Sequence, residues 1–115
     1  MNEEILRKNI KQELINIGVP IHLLGFKYLT TAILFYINNN TKDITMNDIY
    51  KEVNKRHNVK KVKAERDIRY VFQNTKDLKV DLEKFSNKSF IIYVSEKIMN
   101  RKTNEMEVKH YGKWK

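Results

Sequence analysis

Between Lys55 and Arg69 the chain places Lys55, Arg56, Lys60, Lys61, Lys63, Arg66 and Arg69, opposed only by Glu65 and Asp67. Clustered cations of this kind hold phosphates, and Arg, Lys, Asn, Gln or Glu on one helix face can match the donors and acceptors of base edges. A helix over 60–74, turning roughly 100° per residue, sets Ala64, Ile68, Val71 and Phe72 on one side. It sets Val62, Arg66, Arg69, Tyr70 and Gln73 on the other, so a core face backs a basic, polar strip. The spacing predicts that the 63–70 strip reads bases in a ~12 Å major groove. Lys55, Lys60 and Lys61, with Arg101 and Lys102 beyond the last helix, are the candidates for phosphate contact. The competing reading is a solvated helical hairpin with incidental lysines, because such hairpins are common.

Other chemistries lack their residues. With no cysteine there are no disulfides, thiolate zinc sites, iron–sulfur ligands or cysteine nucleophiles. His22, His57 and His110 are too far apart in sequence for a metal motif. No phosphate-cradling glycine loop, zinc-protease helix or nucleophile elbow occurs, and Asp43, Asp48 and Glu52 read as surface and capping residues. No enzyme, metal or cofactor is expected.

The elements that must position the strip follow from composition and periodicity. A 115-residue chain fits one domain, 41% hydrophobic residues can build one modest core, and 3 Gly with 1 Pro close too few hairpins for a β-sandwich. Lys+Arg 23 against Asp+Glu 14 gives a net charge of +9, which favours polyanionic partners. A Lys-, Ile- and Asn-rich composition also follows from A/T-rich coding, so the arrangement of the charges carries the argument. The N-terminal residues hold no apolar signal segment, and no apolar run approaches the ~18 residues of a membrane span. The expectation is a cytoplasmic protein with no membrane association.

Ile5, Leu6, Ile10, Leu14 and Ile17 predict a first helix over Glu3 to Ile17, stopped by Gly18. Pro20, pre-organised for a first helical turn, opens a second helix to about Ile37. Its apolar residues Ile21, Leu24, Tyr28, Leu29, Ala32, Ile33, Phe35, Tyr36 and Ile37 surround most of it, so it should be the central helix. Gly25 within it reads as a close-packing position, and His22 on its first turn as a capping or hydrogen-bonded residue. Thr45 and Asp48 form a capping-box pattern ahead of a helix over Met46 to Arg56, buried through Met46, Ile49 and Val53. Asn58 is the left-handed residue that breaks it before the 60–74 helix. A linker around Asp77-Leu78-Lys79, a short helix near Val80 to Phe85, and a last helix over Lys88 to about Met99 capped by Asn87 follow. Phe90, Ile91, Val94 and Ile98 bury that last helix. The fold class is all-α, about six helices around a helix-turn-helix. Residues 1–102 form a single domain, and 103–115 a basic, flexible tail whose Tyr111 and Trp114 can dock. Asn54 and His57 stand where helix-turn-helix pairs often carry a small and an apolar residue.

Three segments in order carry a family resemblance. IGVPIHLLGFKYLTTAI (17–33) resembles the I-G-V-P-x-H-x-x-G-[YF]-x-Y-L-x-x-A-I opening of the DNA-binding effector domain of the sporulation initiation regulator family, Spo-zero-A. VKAERDIRYVFQ (62–73) is similar to that domain's recognition helix, and NKSFIIYVSEKI (87–98) to its last helix. The resemblance spans roughly Glu13 to Arg101. It implies a six-helix domain binding duplex DNA at boxes of the TGTCGAA kind, often as tandem head-to-tail copies or as a homodimer. Glu65, Arg66 and Arg69 match the family's E-R-x-x-R, while Lys63 stands for an arginine, Tyr70 for a histidine and Val62 for a serine. On this basis Lys63, Glu65, Arg66, Arg69 and Tyr70 are the candidate base contacts. Glu65 keeps a second role open, an i,i+4 pair that orients Arg69. Family members carry a phospho-receiver domain ahead of this region. Only about a dozen residues precede the match here, so a fragment or a stand-alone regulator without that switch is expected.

The function expected is a sequence-specific duplex DNA-binding transcriptional regulator. The alternative is a protein-interaction or anti-regulator module that keeps the fold without specific readout and pairs with a full-length family member.

Overall fold

The computed structural model describes residues 2–39, 43–74 and 86–112, with side chains described as far as residue 100. Five helices stand among the described residues: α1 (Glu3–Ile17), α2 (Leu24–Asn38), α3 (Met46–His57), α4 (Lys61–Asn74) and α5 (Asn87–Gly112). No strand occurs among them. The linker at 77–79 and the short helix expected near Val80 to Phe85 lie outside the described residues.

Local signals place the helix ends. The Asn2 side chain accepts from the backbone N–H of Glu4 at 2.7 Å and starts α1, and Gly18 at φ 112° ends it. Thr45 and Asp48 close a reciprocal capping box on α3: Asp48 N–H donates to the Thr45 hydroxyl at 3.2 Å, and Thr45 N–H to the Asp48 carboxylate at 3.0 Å. The latter bond, with the Thr45 hydroxyl, holds the Asp48 carboxyl below the usual carboxylate range.

α2 is the hub. It packs against all four other helices, with Phe26, Leu29, Ala32, Ile33 and Leu34 buried. Leu6, Ile10, Leu14 and Ile17 of α1, Ile49 and Val53 of α3, Ala64, Ile68 and Val71 of α4, and Phe90, Ile91, Val94 and Ile98 of α5 complete one core. At about 1.5–3 kcal/mol for each fully buried large side chain, this core dominates the stabilisation.

Four boundaries or placements depart from periodicity. α2 begins at Leu24 and not at Pro20: residues 20–23 are turns, with Leu23 N–H donating to the Pro20 carbonyl at 3.4 Å, so Ile21 and Leu24 are 65% and 48% exposed. His22 accordingly lies exposed in that turn. Ile5 is 55% exposed, because the buried apolar stripe of α1 runs through Leu6, Ile10, Leu14 and Ile17 and leaves Ile5 outside it. At α5, Ser86 and not Asn87 caps the helix, its hydroxyl accepting from Ser89 N–H at 3.1 Å, while Asn87 is the first helical residue and is buried. α5 also continues past Met99 to Gly112, into the stretch expected as a tail.

A buried carboxylate joins the two terminal helices. Glu13 of α1 is 1% exposed and pairs with Lys97 of α5 at 3.4 Å, while the Lys97 ammonium also sits 5.7 Å from the Tyr93 ring centroid.

Candidate nucleic-acid interface

α3 and α4 form a helix-turn-helix whose turn is held at each residue. Asn58 adopts the left-handed conformation at φ 52°, and its N–H donates to the Asn54 carbonyl at 2.8 Å. The Asn54 amide reaches across the turn and donates to the Val59 carbonyl at 2.9 Å, Val59 itself is buried, and Ala64 N–H returns to the Lys60 carbonyl at 2.9 Å. Asn54 therefore staples the turn, where a small residue would leave the Val59 carbonyl without this partner. His57 ties the end of α3 to α2: its Nε2 lies 2.6 Å from the Thr31 hydroxyl, and its ring meets Tyr28 edge-on at 5.3 Å. Burial first, then the charges of Lys27, Arg7 and Arg56, hold the His57 imidazole below the usual histidine range, so the neutral ring is the packed form.

α4 is seated against α2 by the absence of a side chain. A Cβ on Gly25 would overlap the Asp67 carbonyl oxygen and the Val71 side chain, with the Asp67 carbonyl carbon only 3.1 Å away. Glycine at 25 is what lets the two backbones approach, as a close-packing role requires. Ala64, Ile68 and Val71 are buried on this side, and Phe72 packs edge-on against Phe90 at 4.8 Å.

The opposite face of α4 is open. Arg66, Arg69 and Gln73 are exposed, Tyr70 is 50% exposed and Val62 75% exposed. Arg66 and Arg69 are both exposed, and neither forms an ion pair among the described residues. Glu65 sits half-buried on the flank of this strip. It makes no ion pair with Arg69 among the described residues, and its backbone carbonyl accepts from the Asn87 amide at 3.4 Å. Lys63 lies on the other flank, where Asp67 one turn on holds its ammonium at 2.5 Å. The structure thus brings Arg66, Arg69 and Tyr70 together on one surface and sets Lys63 and Glu65 at its edges.

The phosphate candidates divide in the same way. Lys60 and Lys61 line a cleft of about 450 Å³ between α3 and the start of α4, with Asn47, Tyr50, Lys51 and Asn54, and the Lys61 ammonium donates to the Asn47 side chain at 2.7 Å. Lys55 faces a different cleft, of about 410 Å³ between α2 and α3, beside Asp43, Asp48 and Glu52. Arg101 and Lys102 lie on the α5 backbone, and their side chains, like those of Tyr111 and Trp114, fall outside the described residues. Lys51 and Asn47 escaped sequence reasoning; their signal was the i, i+4, i+7 spacing of Asn47, Lys51 and Asn54 on the face of α3 turned toward α4.

No cluster of metal-ligating side chains occurs among the described residues, and no described helix is long and apolar enough to cross a membrane. A comparison with curated proteins finds no match. The family model described as sporulation initiation factor Spo0A C terminal matches residues 10–108, taking in the second half of α1, the whole of α2, α3 and α4 with the helix-turn-helix, and most of α5. That family is one of DNA-binding effector domains of sporulation regulators and not a family of enzymes. With a match over most of its length and the exposed basic helix such domains require, the chain belongs to the Spo0A C-terminal family.

Proposed function

We propose that this chain is a sequence-specific duplex DNA-binding transcriptional regulator that reads the major groove with α4. The observation that carries the reading is the two-sided character of that helix: Ala64, Ile68 and Val71 are buried, while Arg66, Arg69, Tyr70 and Gln73 stand exposed on a rigidly stapled turn. In a major-groove pose the Arg66 and Arg69 guanidinium groups reach guanine edges, and Tyr70 supplies a ring and hydroxyl beside them. Lys63 joins a base by exchanging Asp67 for it, and Glu65 at the flank accepts from a cytosine amine or orients Arg69. Lys60 and Lys61 hold phosphates at the groove edge, and Lys55, Arg101 and Lys102 add more distant phosphate contacts. Tandem head-to-tail copies on adjacent boxes, or a homodimer, are the assemblies this reading favours.

A fluorescent duplex carrying a TGTCGAA-type box, titrated against a scrambled duplex at two salt concentrations, tests the reading. Tighter binding to the box, with both affinities falling as salt rises, is the expected result. Equal affinities overturn sequence readout. Binding to neither duplex overturns DNA binding and leaves the interaction module as the better account.

A further inference from the structure

We infer that Asn87 is a positioning residue that sets the angle between the two helices of the helix-turn-helix from the first turn of α5, an inference that rests on the DNA-reading role of α4. The side chain is 5% exposed, and its Nδ2 donates to the Tyr50 hydroxyl of α3 at 3.2 Å and to the Glu65 backbone carbonyl of α4 at 3.4 Å. One amide therefore ties both helices to a third. A buried carboxamide of this kind is fixed by its partners, because a buried donor left without an acceptor is costly.

The placement of the tie gives it a role beyond cohesion. Glu65 directly precedes Arg66 and lies one turn before Arg69, so the anchored carbonyl is level with the strip. α4 meets α5 sparsely. The Phe72–Phe90 ring contact at 4.8 Å holds the C-terminal half of α4, and the Asn87 bond holds its N-terminal half beside Arg66. α4 rests on α2 through Ala64, Ile68 and Val71, and on its α5 side these two contacts fix its tilt about that seat, so without the Asn87 bond the ring contact alone sets the tilt on this side. Tyr50, the other acceptor, lines the cleft of Lys60 and Lys61, so the same amide also fixes the wall beside those lysines. Burial pushes the Tyr50 hydroxyl above the usual tyrosine range, and the Asn87 bond works against that shift, so the hydroxyl stays protonated and accepts with its lone pair.

The test uses the whole chain with Asn87→Ala, and with Tyr50→Phe, which keeps the ring packing and removes only the hydroxyl. Residual dipolar couplings of the free protein report the α3–α4 angle with no DNA present. Anisotropy titrations give the ratio of box to scrambled affinity. Asn87→Ala should change the angle, leave α4 helical, and lower the ratio roughly fivefold or more, with scrambled binding falling less than box binding. Tyr50→Phe should shift the angle in the same sense by less, and it carries the test if Asn87→Ala fails to fold. A lowered melting temperature with the angle unchanged overturns the proposal, since Asn87 then only holds the core together. A changed angle with the affinity ratio intact overturns it as well. If the unaltered protein shows no box preference, DNA readout fails, and the free-protein angle still decides whether Asn87 sets the helix pair.

Discussion

Replacing Gly25 with Ala should destabilise the domain and weaken DNA binding together. The added Cβ overlaps the Asp67 carbonyl oxygen and the Val71 side chain, and the Asp67 carbonyl carbon at 3.1 Å blocks the remaining space. Val71 can adjust a rotamer, but the carbonyl belongs to the backbone of α4 and moves only with the helix. Overpacking of this kind costs typically 1–3 kcal/mol, and a backbone obstacle puts the cost toward the upper end. Alanine recovers at most about 1 kcal/mol of helix propensity, less at the second residue of α2 than in a helix interior. The net loss is about 1–2 kcal/mol, and the melting temperature should fall by roughly 4–16 °C for a domain of this size. Asp67 lies between Arg66 and Arg69, so the displacement reaches the exposed strip directly, and box affinity should drop even where the variant is fully folded. Thermal unfolding followed by circular dichroism, together with the box titration, measures both. Leu24→Ala, at a 48% exposed neighbour, serves as the control with a small effect. An unchanged or raised melting temperature for Gly25→Ala would refute the reasoning that the backbones of α2 and α4 meet closely at this position.

Arg66→Ala should lower box affinity roughly tenfold or more, since a good bidentate guanine pair is worth ~1–3 kcal/mol, with scrambled-duplex binding and melting temperature nearly unchanged. An intact ratio of specific to non-specific affinity would remove Arg66 from base reading. Lys60→Ala and Lys61→Ala, in the cleft beside α4, should each weaken both duplexes alike and reduce the salt slope by about one, whereas Lys55→Ala, in the other cleft, should change it less. Equal slopes for all three variants would dissolve the distinction between the clefts. The depressed His57 sets the pH dependence. Its folded form resists a proton that the unfolded chain accepts at about 6.5, so stability is full above that pH and declines as pH falls through it, until the folded imidazole also titrates. Urea unfolding between pH 7.5 and 5 should show a decline that His57→Gln reduces, and a decline of equal size in the variant would assign it to other groups.

Local chemistry made some of this domain legible before any tertiary contact was known. The Thr45–Asp48 capping box, the left-handed Asn58, the stop at Gly18 and the division of α4 into buried Ala64, Ile68 and Val71 against exposed Arg66, Arg69 and Tyr70 all follow from interactions within a few residues. Helical periodicity and capping act at that range, so the sequence alone determined the helix-turn-helix and its basic face. The placement of Asn87 did not follow in this way. As a residue type it suits a helix cap, and it became a bridge because folding delivers Tyr50 and the Glu65 carbonyl to it from helices far away in the chain. His57 and Thr31 meet across 26 positions of sequence, and Lys51 shares a cleft with Lys60 and Lys61 while Lys55, four residues on, does not. Pro20 permitted a helix that turn hydrogen bonds delayed until Leu24, and the collision that requires glycine at 25 exists only because α4 lies across α2. Tertiary structure decided these features because each depends on which surface packing brings opposite a side chain, and the spacing of residues along one helix carries no record of its neighbours.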